Sequence, residues 1–177
     1  PWGILNTSTT GGIALETAVA QAAAIVGTTA DEMFTYNNSA LVDGVSLTIS
    51  YLPSNGTQVE STTSYAIAYS GVEGLTVGYA ADENGLTGTS AIDASTMYIK
   101  YAYGPVTVGY QFSELDTYNS ATDYDTTGYS IAYAITDDLS VSYAERTVDI
   151  GGNTVDEEQS GISVGYSMGG MTIKAHN

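Results

Sequence analysis

The sequence predicts an all-β fold, an antiparallel sheet running up and down through about ten strands. Three observations predict it. Large apolar and small polar side chains alternate from Thr35 onward, tight and long connections alternate between the runs, and most of the acidic residues fall in the long connections.

Each run supports one strand. Val45, Leu47, Ile49 and Tyr51 share one side, against Ser46, Thr48 and Ser50. Tyr65, Ile67 and Tyr69 repeat the scheme, as do Leu75, Val77 and Tyr79, and then Met97, Ile99, Tyr101 and Tyr103. Val106 to Phe112, Tyr129 to Ile135, Leu139 to Tyr143, Ile162 to Met168 and Met171 to Ile173 complete the series, and a less regular run around Met33 to Leu41 precedes it. Period two is the signature of a pleated strand with two chemically different faces.

Asp43-Gly44, Ser70 to Gly74, Tyr103-Gly104-Pro105, Thr136-Asp137-Asp138 and Met168-Gly169-Gly170 are tight connections. Between them lie long ones: Pro53 to Ser61, Ala81 to Asp93, Ser113 to Asp125 and Asp149 to Gln159. A meander with all tight turns on one rim and all long loops on the other has this order, as transmembrane β-barrels do. A sandwich also explains an apolar face, by burying it, but its crossovers give no reason for such strict ordering. Tyrosine argues the same way. Tyr69, Tyr103, Tyr133 and Tyr166 lie toward the tight turns, Tyr51, Tyr79, Tyr110, Tyr129 and Tyr143 toward the long loops, and aliphatic residues lie between. Two aromatic belts around an aliphatic band suit a lipid-facing surface, because a tyrosine hydroxyl favours the wet interface.

The chain has 177 residues and a formal net charge of -17, from 3 Lys+Arg against 20 Asp+Glu. Such a surface repels nucleic acid. There is no cysteine, which removes disulfides and thiolate metal sites. No run of 18 apolar residues exists, so no transmembrane helix is expected, while a transmembrane strand needs only about 10 residues. The chain begins at Pro1 and stops within a strand pattern at Lys174 to Asn177, which reads as part of a longer polypeptide. The only histidine, His176, has no triad partners in a motif, and Gly151-Gly152-Asn153 lacks the lysine of a phosphate loop. No enzyme is expected.

If the small polar face lines water, function is conduction, and its chemistry is size and field. Residues 1–32 differ from the rest: Trp2 to Glu32 is irregular, with an alanine-rich stretch from Ile13 to Ile25 that could hold a short helix. Such a segment inside a barrel narrows the pore. Glu16, Asp31 and Glu32 would bring negative charge to the constriction, and Lys100, Arg146 and Lys174, all on the polar face by parity, positive charge to the wall. Asp123 with Asp125, and Asp156-Glu157-Glu158, are candidate ligands for calcium, since closely spaced hard oxygens suit a hard cation. The competing reading is a secreted or surface β-rich structural or adhesin module with calcium-binding acidic loops.

Ser64 to Tyr69, Leu75 to Tyr79, Val106 to Tyr110, Tyr129 to Tyr133 and Ile162 to Tyr166 resemble strands of the general diffusion porins of alphaproteobacteria, over roughly residues 33–177. The resemblance implies a sixteen-stranded outer-membrane barrel assembled as a homotrimer among lipid and lipopolysaccharide, with an inward-folded constriction loop and passive diffusion of small hydrophilic solutes. Residues 1–32 would correspond to that loop and 33–177 to an incomplete set of strands. Some members bind calcium; no other cofactor is implied. The wall is poorer in arginine than is usual in the family, which favours a weak cation preference.

Overall fold

A computed structural model describes residues 34–54, 61–83, 92–117, 123–168 and 171–176. Within them ten strands form one sheet in sequence order: β1 (Phe34–Val42), β2 (Val45–Leu52), β3 (Thr62–Tyr69), β4 (Leu75–Glu83), β5 (Ile92–Tyr103), β6 (Val106–Thr117), β7 (Tyr124–Ala134), β8 (Leu139–Ile150), β9 (Glu157–Met168) and β10 (Met171–His176). Every neighbouring pair is antiparallel. Among the described residues β1 and β10 each pair on one side only, so the sheet is open.

The tight turns line one rim and are hydrogen-bonded in series. Ser70 N donates to Gly44 O (2.7 Å), Ala102 N to Gly74 O (2.8 Å), Ala134 N to Pro105 O (2.8 Å) and Ser167 N to Asp138 O (2.8 Å). Gly44 sets the first turn: its φ is +74°, and a Cβ there would lie 2.4 Å from the Gly71 backbone of the next turn. An Asp-Gly pair supplies this left-handed geometry between two strands.

Burial decides between barrel wall and sandwich. The large apolar side chains, including Ile49, Ile67, Val77, Ile99, Val108, Ile131 and Val164, are exposed. Among the described residues the buried apolar ones are Ala66, Ala80, Ala81, Ala94 and Val148, so no core of large side chains exists. The small polar face is the more buried one, with Ser50, Thr96, Ser113, Ser142 and Ser163 shielded. A sandwich requires the reverse.

One expectation is corrected. Nine acidic residues assigned to long connections lie in strands: Asp82, Glu83, Asp93, Glu114, Asp116, Asp125, Asp149, Glu157 and Glu158. The connections are shorter than expected at 84–91, 118–123 and 151–156, and β5, β6, β8 and β9 reach 12 residues each. Pairing continues past the apolar band because a carboxylate in water costs a strand little, outward as at Glu114 and Asp116 or on the polar face as at Asp82 and Glu157. Residues 1–32, with Glu16, Asp31, Glu32 and the constriction segment, lie outside the described residues.

Candidate functional site

Cross-strand register turns the polar face into rows. The row at mid-height runs Ser46, Ala68, Gly78, Tyr98, Gln111, Gly128, Arg146, Gln159 across β2 to β9. One step toward the long loops it reads Thr48, Ala66, Ala80, Thr96, Ser113, Thr126, Val148, Glu157. One step toward the tight turns it reads Thr76, Lys100, Gly109, Ser130, Ala144, Gly161 across β4 to β9. Long side chains are concentrated in the mid-height row between β5 and β9, at Tyr98, Gln111, Arg146 and Gln159, where they lie against the wall.

Each long side chain is anchored. Tyr98 lies across Gly78, where a Cβ would come within 2.4 Å of the ring, so the absent side chain lets the phenol lie along the wall. Beside it a small niche of about 60 Å³ has Thr48, Ala66, Ala80, Thr96 and Tyr98 in its lining. Gln111 Nε2 donates to Thr96 Oγ1 (3.2 Å) and Ser113 Oγ (3.1 Å), whose hydroxyls are 2.7 Å apart. Arg146 Nη2 donates to Gln159 Oε1 (2.8 Å), and Glu157 is near enough to act on the guanidinium electrostatically. On the same face of β4, Asp82 accepts a hydrogen bond from Ser64.

Lys100 and Arg146 share this face's register. Lys100 is half-buried, and Lys174 pairs with Gly165. Arg146 is only 7% exposed, so its charge lies in the wall. Of the calcium candidates, Asp123 lies near enough to Asp125 to act on it electrostatically. Glu157 and Glu158 point to opposite faces by alternation, and Asp123 Oδ1 accepts from Thr117 N (2.7 Å) and Oγ1 (3.2 Å). Among the described residues no group of three or more acidic or histidine side chains is placed to hold a metal.

The outward face changes character toward the long-loop rim. Ser95, Glu114, Asp125 and Asp149 share a register row, and Asp93 and Asp116 pair in the next. This rim lies beyond the apolar band of the wall. There burial, and then the charges of Asp123, Glu114 and Asp93, raise Asp116 above the ordinary carboxylate value. Burial, and then Glu114, Asp149, Asp116 and Asp123, do the same to Asp125. Nearer the band, Tyr143 donates its hydroxyl to Glu145 Oε2 (2.6 Å).

With the two faces established, comparison with known proteins is direct: a family model described as Gram-negative porin matches residues 1–175. The chain belongs to the Gram-negative porins. No curated protein sequence matches it. Solved structures share the porin fold at low identity. Salmonella typhi OmpF, in complex with daunomycin, superposes with a TM-score of 0.63 at 19% identity, over 80% of this chain and 52% of that one. A refined porin structure gives 0.61 at 18%, over 84% and 56%. In-vitro folded OmpT, an outer membrane protein of Vibrio cholerae, gives 0.53 at 17%, over 81% and 52%. The chain thus spans about half the length of the structures it matches. A Gram-negative porin resides in the outer membrane, and the exposed apolar wall is the surface that location requires.

The parts of the wall not apparent from sequence are Tyr98, Gln111 and Gln159. A search for charge passes over neutral side chains. The available signal was size, since on a face of Ser, Thr, Ala and Gly these residues are too long to be filler.

Proposed function

We propose that this porin chain forms about half the wall of a water-filled pore through which small hydrophilic solutes and ions diffuse passively across the outer membrane. The observation that carries the reading is the inversion of the sheet, whose large apolar side chains are exposed while small hydroxyls and a few anchored polar groups line the other face. Lipid covers the first face and water the second. The work is selection by size and field, with no bond made or broken. Residues 1–32 are assigned the constriction by the resemblance, with Glu16, Asp31 and Glu32 supplying negative charge, Lys100, Arg146 and Lys174 the positive charge of the wall, and the excess of acid a weak cation preference. The pore assembles as a homotrimer among lipid and lipopolysaccharide, as the resemblance implies. A soluble β-rich module would leave the same apolar face in water, which disfavours it.

The test is reconstitution of the protein in a planar bilayer. Stepwise conductance with a reversal potential mildly favouring potassium over chloride is expected, and neutralising Glu16, Asp31 and Glu32 together should reduce that preference. A protein that is monodisperse in plain buffer and never conducts would overturn the reading.

A further inference from the structure

Above the apolar band the two faces of the wall exchange character. Glu114, Asp116, Asp125 and Asp149 stand outward, while Leu115 on β6, Tyr124 on β7 and Ile150 on β8 are register neighbours on the inner, small polar face. Ala94 lies beside Leu115, and Val148 one step below Ile150. Leu115, Tyr124 and Ile150 are half-buried. Elsewhere on this face of β2 to β9 the described side chains are small or carry a polar group, Leu52 at the end of β2 apart.

Neither cause that places large apolar residues elsewhere in this chain acts on this ledge. It faces away from the outer, lipid-facing surface, and among the described residues there is one sheet, with no second layer to pack on it. A contiguous apolar patch on the water side marks a surface that something covers. One stretch of the chain beyond the described residues has the matching composition. The connections at 55–60, 84–91 and 118–122 each carry a single large apolar residue, Val59, Leu86 and Tyr118. Ile13 to Ile25 carries Ile13, Leu15, Val19 and Ile25 among six alanines, with Leu15, Val19 and Ala22 at helical spacing.

The stretch also arrives at the right rim and has the reach. Phe34 pairs with Tyr51 near the long-loop end of β2, so residues 1–33 join the sheet at the height of the ledge. From β1 to β6 there are five strand spacings, about 24 Å along the wall. Residues 26–33 extend to at most about 26–29 Å, which covers that distance.

We propose that the stretch Ile13–Ile25 of this same chain seats on the ledge of Leu115, Tyr124, Val148 and Ile150, inside the wall over β6 to β8. The seat rests on the pore reading above and adds the side from which the passage narrows, leaving the small residues of β2 to β4 to line the opening.

The chain has no cysteine, so a pair introduced by substitution is the sole reactive one. Leu15→Cys or Val19→Cys is combined with Leu115→Cys or Ile150→Cys on the ledge, or with Thr48→Cys on β2 as the reference. Each protein is folded into phospholipid vesicles and treated with a short bismaleimide. Thr48 lies next to the strand through which residues 1–33 join the sheet, so a stretch not held by the ledge links there at least as fast. The seat predicts linking to the ledge at least several-fold faster than to Thr48→Cys, read as altered mobility of the unfolded chain on electrophoresis. It also predicts that Leu86→Cys, from the neighbouring connection, links to the ledge more slowly than Val19→Cys does. Equal or faster linking to Thr48→Cys, or faster linking from Leu86→Cys, in variants that retain the heat-modifiable mobility of the folded protein, would overturn the seat and leave the pore intact. Should one ledge variant not fold, the other decides. Absence of any conductance from the reconstituted wild type would overturn the pore reading itself.

Discussion

Ile131→Arg tests the facing of the whole wall at one position. Ile131 is 47% exposed on the outward face of β7, between Tyr129 and Tyr133, and its register neighbours are Val108 and Tyr143. Its free half therefore meets lipid if the wall spans a membrane. Removing it forfeits about half of the ~1.5–3 kcal/mol for burying an aliphatic side chain, or ~1 kcal/mol. A guanidinium near the bilayer midplane adds the rest, for ~2–4 kcal/mol in total. That is a factor of roughly 30 to nearly 1,000 in the folding equilibrium. Ala132, the next residue, faces the other way between Thr107 and Ser142, so Ala132→Arg should cost no more than ~0.5 kcal/mol. Urea unfolding from phospholipid vesicles, followed by far-ultraviolet circular dichroism and by heat-modifiable electrophoretic mobility, measures both. Equal costs at the two sites, or a larger one at Ala132, would refute the assignment of faces.

Three further predictions follow from the same geometry. Gly44→Ala places a Cβ at φ +74° and 2.4 Å from the Gly71 backbone, so it should cost more than the ~1–2 kcal/mol of the left-handed conformation alone; Gly104→Asn, at φ +56° with nothing within 4 Å, should cost less than ~1 kcal/mol by the same unfolding assay. Gly78→Ala should lift the Tyr98 ring off the wall and lower single-channel conductance, and conductance should return in the Gly78→Ala/Tyr98→Ala double variant; a reduction that persists there would show that Tyr98 is not the obstruction. The raised Asp116 and Asp125 bind protons more tightly folded than unfolded, so their ionisation opposes folding above the folded pKa values and the penalty fades as pH falls through them. Glu114→Gln removes a charge acting on both, and its gain in stability near neutral pH should shrink on acidification. A gain independent of pH would remove this repulsion from the account.

The sequence displays the fold because lipid contact demands one large apolar residue at every second position, and the pore side tolerates almost any small one. Strand number and the order of tight and long connections follow from that. Strand ends are harder. In Ser113-Glu114-Leu115-Asp116-Thr117 the pattern inverts, with acids outward and Leu115 inward, because the outer surroundings pass from lipid to water while backbone pairing continues. A reading keyed to apolar-outward alternation stops at Phe112 and assigns the remainder to a loop. The mid-height row is hidden for another reason. Gln111, Gly128, Arg146 and Gln159 are separated by 13 to 18 residues in the chain, and only the register set by successive turns brings them side by side. Parity alone predicts the face of Arg146, but not its embedding against Gln159.

The paired collar beyond the apolar band directs its charge sideways. Asp93, Glu114, Asp116, Asp125 and Asp149 stand on the outside of the wall, away from its small polar face. At a screening length of about 8–10 Å their influence fades within a side chain or two of the surface. They act little on the small polar face and strongly on whatever lies against the flank of the wall. These five of the 20 acidic residues therefore bear on how closely such proteins crowd together in the plane of the membrane, a property of the population that no measurement on a single molecule would register.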